Sequence, residues 1–420
     1  MHKPSTPSLN WQLMAPIFAV VAIDSIGMGV ILPLLPFYAE RFGATPAVFG
    51  ALVASFALCQ FVAGPLLGAW SDRVGRRPIL IASQAGTCAG FVLLALANSL
   101  PLVFLARVIT GITSGNLSVA SAYAVERSPA NARKQAIGVV SAAIGIGLVL
   151  GPALSTLTAR ISPAAPVWLA AAMSAASAIA TFILLPADAT RPATAAAAAA
   201  PPAKHGTFTG PVLAILGLLS CFYVALGMVM GGLALYLAQR FTWHGEPFGA
   251  AQVGIVFTGT GIINIFVQLV LMKHLGRLLN DKQLVVASFA LLAAGYAATG
   301  AVQAVALLGL ALAAAAFGSS LLRPTLTSAL SVSAPATRQG MVLGVNQSLM
   351  AIGNIVGPLL GGVLLTRGSP QGWVAVLVCL YLCGCLAALA CFALGLWPAT
   401  QRDAAPEIPS TPSHKENPHD

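Results

Sequence analysis

The sequence predicts an all-α membrane protein whose twelve transmembrane helices form two pseudo-symmetric six-helix bundles. Three observations predict it. First, 58% of the residues are hydrophobic and only 8% are charged, whereas a water-soluble surface needs about a quarter charged residues. Second, the chain carries twelve apolar stretches of roughly 20 residues, the length that crosses a hydrocarbon core as helix. Third, Gly353-Asn-Ile-Val-Gly357-Pro358-Leu-Leu-Gly361-Gly362 repeats, 206 residues later, the pattern of Gly147-Leu-Val-Leu-Gly151-Pro152-Ala-Leu-Ser155-Thr156. The same shift aligns Pro129 with Pro335 and Gly138 with Gly344. A duplicated apolar chain suits a carrier, because two similar bundles can rock about a site held between them.

The spans begin near Trp11, Pro46, Pro78, Leu100, Gln135, Pro163, Gly210, Phe248, Gln283, Val305, Gly340 and Gln371. Helices are preferred to a barrel because the runs are continuous rather than alternating, and a bilayer accepts no open sheet edge. Residues 1–186 form the first bundle and 210–398 the second. Between them, 187–209 reads as a cytoplasmic linker, with an alanine run followed by Pro201-Pro202. The polar, proline-bearing stretch 399–420 reads as a disordered cytoplasmic tail.

Charge sets the orientation. Of the 21 lysines and arginines, 15 fall on the side that holds both termini, four (Arg41, Arg160, Arg240, Arg367) on the other, and Arg107 and Arg323 inside spans. The positive-inside rule then places both termini of a multi-pass protein in the cytoplasm, and the bacterial inner membrane is its expected location. Orientation and anionic lipid headgroups account for the net charge of +10, so no nucleic-acid partner is expected. All seven cysteines fall in predicted spans, which implies no disulfide framework. Cys379 and Cys383 stand one turn apart and read as packing residues, so no metal is expected. The first apolar run is too long for a cleavable signal, and it carries Asp24.

Asp24, in the first span, is the only carboxylate well inside any predicted span, since the other acidic residues lie in loops, tails or helix ends. Burying an ionised carboxylate costs on the order of several kcal/mol, which suits such a group to taking and releasing a proton. Asp24 is therefore the candidate proton-coupling residue, with Arg107 a candidate partner through the bundle interior. A structural carboxylate bonded to backbone is the alternative. Arg107-Val-Ile-Thr-Gly111-Ile-Thr-Ser-Gly115 sets its guanidinium and two glycines on one helical stripe, where glycines admit a second helix closely.

After the second span comes Gly68-Ala-Trp-Ser-Asp72-Arg73-Val-Gly75-Arg76-Arg77. The glycines permit a tight turn, Asp72 can cap a helix or pair with an arginine, and the arginines hold the loop at the cytoplasmic face. It reads as a cytoplasmic gate. In the fifth span, Gly147, Gly151 and Pro152 combine a kink with close packing, and Gly353, Gly357 and Pro358 do so in the eleventh. In the tenth span Arg323-Pro324 has two readings. Facing a cavity, the arginine attracts an anionic or carboxylated compound; otherwise it pairs with carbonyls freed by the proline. Gln60, Asn116, Tyr223, Asn264, Gln268, Asn346 and Gln347 complete the candidate substrate-binding set.

The loop Gly68 to Arg77 resembles the signature loop of the major facilitator superfamily. The strip Asp24-x-x-Gly27-x-Gly29-x-x-x-Pro33-x-x-Pro36, continued by Gln60 and Gly64-Pro65, is similar to the first two spans of its drug:proton antiporter branch, particularly of tetracycline-efflux-like members. The resemblance implies a twelve-span major facilitator fold, an association of Arg107 with proton movement, and an antiporter motif at Gly147, Gly151 and Pro152. Two departures stand out. Ser155 and Thr156 replace the two glycines that usually close that motif. No acidic residue occupies the third span, 79–98, or the ninth, 283–301, where tetracycline carriers tend to hold them, which counts against tetracycline or a metal chelate as cargo.

The resulting expectation is a proton-coupled antiporter that exports a small amphipathic organic compound, such as a drug, by alternating access. It works as a monomer, without cofactor, on the proton gradient. Dedicated export of an endogenous metabolite or siderophore would use the same machinery. An enzyme is not expected, because no span contains His-Glu-x-x-His, Gly-x-Ser-x-Gly or paired aspartates. A channel is disfavoured by the lack of a filter-like loop or ring of charges.

Overall fold

A chain immersed in hydrocarbon must pair its own N–H and C=O groups, so each apolar run folds as helix. We describe a computed structural model over residues 11–128, 132–186, 209–243, 245–334 and 339–398. In the first half, α1 (Trp11–Ile31) is followed by the short α2 (Leu35–Glu40), α3 (Pro46–Val74), α4 (Arg76–Leu96), α5 (Leu100–Ile112), α6 (Asn116–Glu126), α7 (Arg133–Ala159) and α8 (Ala165–Leu184). The second half holds α9 (Gly210–Arg240), α10 (Ala250–Phe266), a π turn at Val267–Leu271, α11 (Met272–Leu278), α12 (Asp281–Ala301), α13 (Val305–Ser333), α14 (Gln339–Thr366) and α15 (Pro370–Ala393). With α5 and α6 counted as one span and α10 joined to its π turn, the described residues contain 12 helices long and apolar enough to cross a membrane. The expected linker and tail lie, but for Thr209, outside the described residues.

Local sequence explains the ends. Thr45 accepts the backbone N–H of Val48 just before Pro46, so α3 starts with a side-chain cap and a proline at its first position. Asn280 and Gln283 cap α12 reciprocally. Between α3 and α4 the chain passes through Gly75 at φ 107°, a conformation that L side chains rarely adopt. Three irregularities were not read from the sequence: the break of the fourth span between Ile112 and Asn116, the π turn in the eighth, and a two-stranded hairpin pairing Thr242–Trp243 with Glu246–Pro247.

Inside each half the first helix packs on the fifth span, α1 on α7 and α9 on α14. Two seams join the halves, α3 against α14 and α7 against α10. Both seams are closed at one end. Gly50 abuts the Pro358 carbonyl, Gly362 abuts Pro46, and the Ala47 N–H donates to Thr366 Oγ1 at 2.7 Å. Gly254 abuts Thr156, whose hydroxyl donates to the carbonyls of Pro152 at 3.0 Å and Ala251 at 3.3 Å. At helical spacing, Gly64 and Gly68 continue the Gly50 stripe, Gly344 continues the Gly362 stripe, and Gly138 continues the Thr156 stripe. A side chain at any of those four would meet nothing within 4 Å among the described residues. The halves therefore touch at the far end and stand apart at the end that carries Arg73, Arg76 and Arg77, here called the basic end.

All seven cysteines are free thiols. Cys379 and Cys383 are exposed on α15 rather than packed inside, which corrects the sequence expectation.

Candidate functional site

Asp24 sits at the end of the middle third of α1, and the Asn116 amide approaches it from the first turn of α6. Asn116 Nδ2 donates to both carboxylate oxygens, at 3.1 Å each, while its Oδ1 finds no partner. The break at Thr113 to Gly115 permits this contact by restarting the fourth span at Asn116. The same break turns Ser114 toward α3, where Gln60 Nε2 donates to its Oγ at 2.9 Å. Asp24, Gln60, Ser114 and Asn116 line one cavity of about 230 Å³ with Gln84, Leu117 and Leu148.

The carboxylate has no cation beside it. Asp24 forms no ion pair among the described residues, whereas Arg76 pairs with Asp72 and Glu126. Arg107, expected as a partner, is buried with its guanidinium 4.1 Å from the centre of the Phe56 ring, and its Nε has no acceptor. It lies nine residues before Asn116 along the same span, roughly 13 Å at 1.5 Å per residue, too far to share its contacts. A cation on an aromatic face takes the place of the expected pairing with Asp24.

Behind Asp24 the structure shows a polar cluster that sequence reasoning missed. Gln84, almost fully buried on α4, donates to Ser177 Oγ and accepts from Thr181 Oγ1, both at 2.8 Å. Ser174 donates to the Gln84 carbonyl at 3.0 Å, and Ser177 to the Val20 carbonyl at 3.1 Å, one turn before Asp24. Bonds of this kind fix helix rotation where lipid offers no partners. The Ser174, Ser177 and Thr181 spacing was the available signal, for it places three hydroxyls on one face of α8.

The glycine motifs act on α1 and its counterpart. Gly147 abuts Ser25, the neighbour of Asp24, and a Cβ on Gly151 would stand 2.6 Å from Gly29 backbone. On the opposite face of the assembly, a Cβ on Gly353 would stand 2.6 Å from Tyr223 backbone and one on Gly357 2.5 Å from Gly227. Pro152 and Pro358 lie inside continuous helices. At the basic end, Arg76 reaches Asp72 at 2.5 Å, Glu126 at 2.7 Å and Ser71 Oγ at 2.6 Å, tying α3, α4 and α6 together. Arg77 donates to the Phe182 carbonyl of α8 and lies over its ring. Those contacts stay within the first half. Gly68 is open, and Arg73 is exposed.

The profile of the Major Facilitator Superfamily matches residues 17–277 and 215–418. The chain belongs to that superfamily. It is 30% identical over 386 residues to the class D tetracycline resistance protein of Salmonella ordonez, covering 89% of this chain and 93% of that one. It is 25% identical to multidrug resistance protein 1 of Bacillus subtilis (strain 168), over 81% and 87% of the two chains. Among solved structures it is similar to an inward-facing, occupied bacterial homolog of the human lysosomal transporter Spinster, with a TM-score of 0.75 and 14% identity over 95% and 100% of the chains. The protein is thus a multi-pass transporter of the Major Facilitator Superfamily, not an enzyme.

In the second half of this superfamily fold the remaining candidates separate. Tyr223 and Asn346 are buried and bonded to each other at 3.0 Å. Gln268, within the π turn, is exposed and donates to Asn264 Oδ1 at 2.5 Å. Gln347 and Arg323 are exposed. Only Gln60 and Asn116 share a cavity with Asp24.

Proposed function

We propose that this transporter is a proton-driven exporter of a small amphipathic organic compound, with Asp24 as the coupling group and the basic end in the cytoplasm of a bacterial inner membrane. One observation carries the reading: a carboxylate within a span faces a cavity with an amide and no cation as its partner. Ionised, it holds an uncompensated charge in a medium of low dielectric; protonated, it holds none. The two states differ by energies on the order of several kcal/mol in the surroundings they tolerate, enough to bias a rocking equilibrium.

The route to the gates follows from contact. Ser25, next to Asp24, bears on Gly147 of α7, and α7 forms the α10 seam through Thr156. A change at Asp24 that shifts α1 against α7 therefore acts on the seam between the halves. Arg107 would act indirectly, by holding α5 against Phe56 of α3. In the opposite state the open stripes at Gly64, Gly68, Gly138 and Gly344 close, with the Arg76 cluster as the cytoplasmic latch. The relatives named for tetracycline and multidrug resistance support a drug-like cargo, carried by a single chain.

The test uses the full chain in sealed liposomes with an imposed pH difference and a labelled dye or antibiotic. Asp24→Asn is expected to abolish accumulation against the cargo gradient while keeping exchange of labelled for unlabelled cargo. Uphill transport by that variant, or a wild-type rate indifferent to collapse of the pH difference, removes proton coupling at Asp24.

A further inference from the structure

The second intramembrane arginine has no role in that scheme, and its surroundings point to the cargo. Arg323 lies in α13 ten residues before its end at Ser333, roughly 15 Å along the helix. It is exposed, and no carboxylate lies within 4 Å among the described residues. Its one hydrogen-bond contact is Nη2 to Met350 Sδ of α14, at 3.7 Å. The reading in which it pairs with carbonyls freed by Pro324 finds no such bond. A thioether is a weak acceptor and neutralises nothing. A guanidinium at this depth survives only in a water-filled opening or beside an anion.

Two independent features place it on the opening between the halves. Leu307, Leu310 and Val332 are the exposed apolar side chains of α13 that suit lipid, and at 3.6 residues per turn Arg323 lies on the opposite side of the helix. The shift of 206 residues also pairs Arg323 with Leu117, which lines the Asp24 cavity. Burial supports that pairing, because Leu117 is exposed between buried Asn116 and Val119 just as Arg323 is between buried Leu322 and Thr325. The first half thus presents leucine to the opening where the second presents a cation.

We infer that the cargo carries an acidic group, carboxylate or similar, that is held by Arg323 while its apolar body lies among the side chains of the opening. This inference rests on the reading of the chain as an exporter and narrows its substrate class. Membrane lipid with an anionic headgroup offers the same chemistry, so the test must separate the two sources.

Full-length protein in nanodiscs of phosphatidylcholine is titrated with three probes of one shape: 2-naphthoate, 2-naphthamide and 2-naphthylmethylammonium. A charge-assisted bond predicts that the acid binds at least about tenfold tighter than the amide. Arg323→Gln is expected to reduce that preference to within about twofold, and Arg323→Lys to keep part of it. Equal binding of acid and amide by the wild type, no binding of the acid, or a preference untouched in Arg323→Gln overturns the inference. Repeating the titration with phosphatidylglycerol present is expected to leave the acid's affinity unchanged; competitive loss assigns the arginine to lipid and also overturns it. The proton-coupling assay fails separately: a wild type that prefers the acid yet ignores the pH difference loses the coupling and keeps the anion site.

Discussion

The first helices of the two halves, α1 and α9, are packed alike and charged differently. Gly147 and Gly151 of α7 press on Ser25 and Gly29, while Gly353 and Gly357 of α14 press on Tyr223 and Gly227 at the same spacing. By those contacts Phe222 stands where α1 has Asp24, and by the 206-residue shift Leu322 stands where α6 has Asn116. Both replacements are fully buried and apolar. The reverse holds one residue on, where the 206-residue shift matches Leu117 with Arg323. Duplication kept the backbone contacts, since close helix approach leaves room only for glycine, and let the charges diverge. On the proposed reading, the halves act as a proton side and a cargo side on one scaffold.

The largest effect is expected from forcing the second half to resemble the first. Phe222→Asp places a carboxylate beside Leu322 with no amide to receive it, and it should cost about 3 kcal/mol or more, seen as loss of folded, monodisperse protein on purification. Phe222→Asp with Leu322→Asn should recover part of that yield. Failure of the second change to help would show that the two first helices are not equivalent.

Forcing the first half to resemble the second is expected to act on function instead. Asn116→Leu removes the donor that favours the ionised carboxylate, so the pH of half-maximal transport should move about one unit to the alkaline side. Asn346→Leu, which breaks the Tyr223 bond, should lower the melting temperature without moving that profile. A shift with Asn346→Leu, or none with Asn116→Leu, would end the division of labour between the halves.

The smallest effect is expected at the basic end. Arg76→Ala removes contacts to Asp72 and Glu126, whose side chains are about half exposed, so solvent screening limits the loss to about 1 kcal/mol. Thermal unfolding should show a small drop. A collapse of the fold would mean that the cluster anchors more than the three helices it touches.

Much of this was legible in the residues. Asp24, Arg107 and Arg323 stood out because a charge within an apolar run is costly and therefore rare. The twelve spans and the duplication followed from length, apolarity and repeated glycines, all local properties of the chain. What local pattern does not contain is how helices distant in sequence rotate against one another. That rotation set Arg107 over Phe56 instead of beside Asp24, gave the carboxylate to Asn116 across a break in the fourth span, and buried Gln84 among the hydroxyls of α8. It also left the seams closed at the far end and open at the basic one. Sequence by itself determined which groups are too polar for lipid; only tertiary structure decided which of them meet, because that depends on the packing of whole helices.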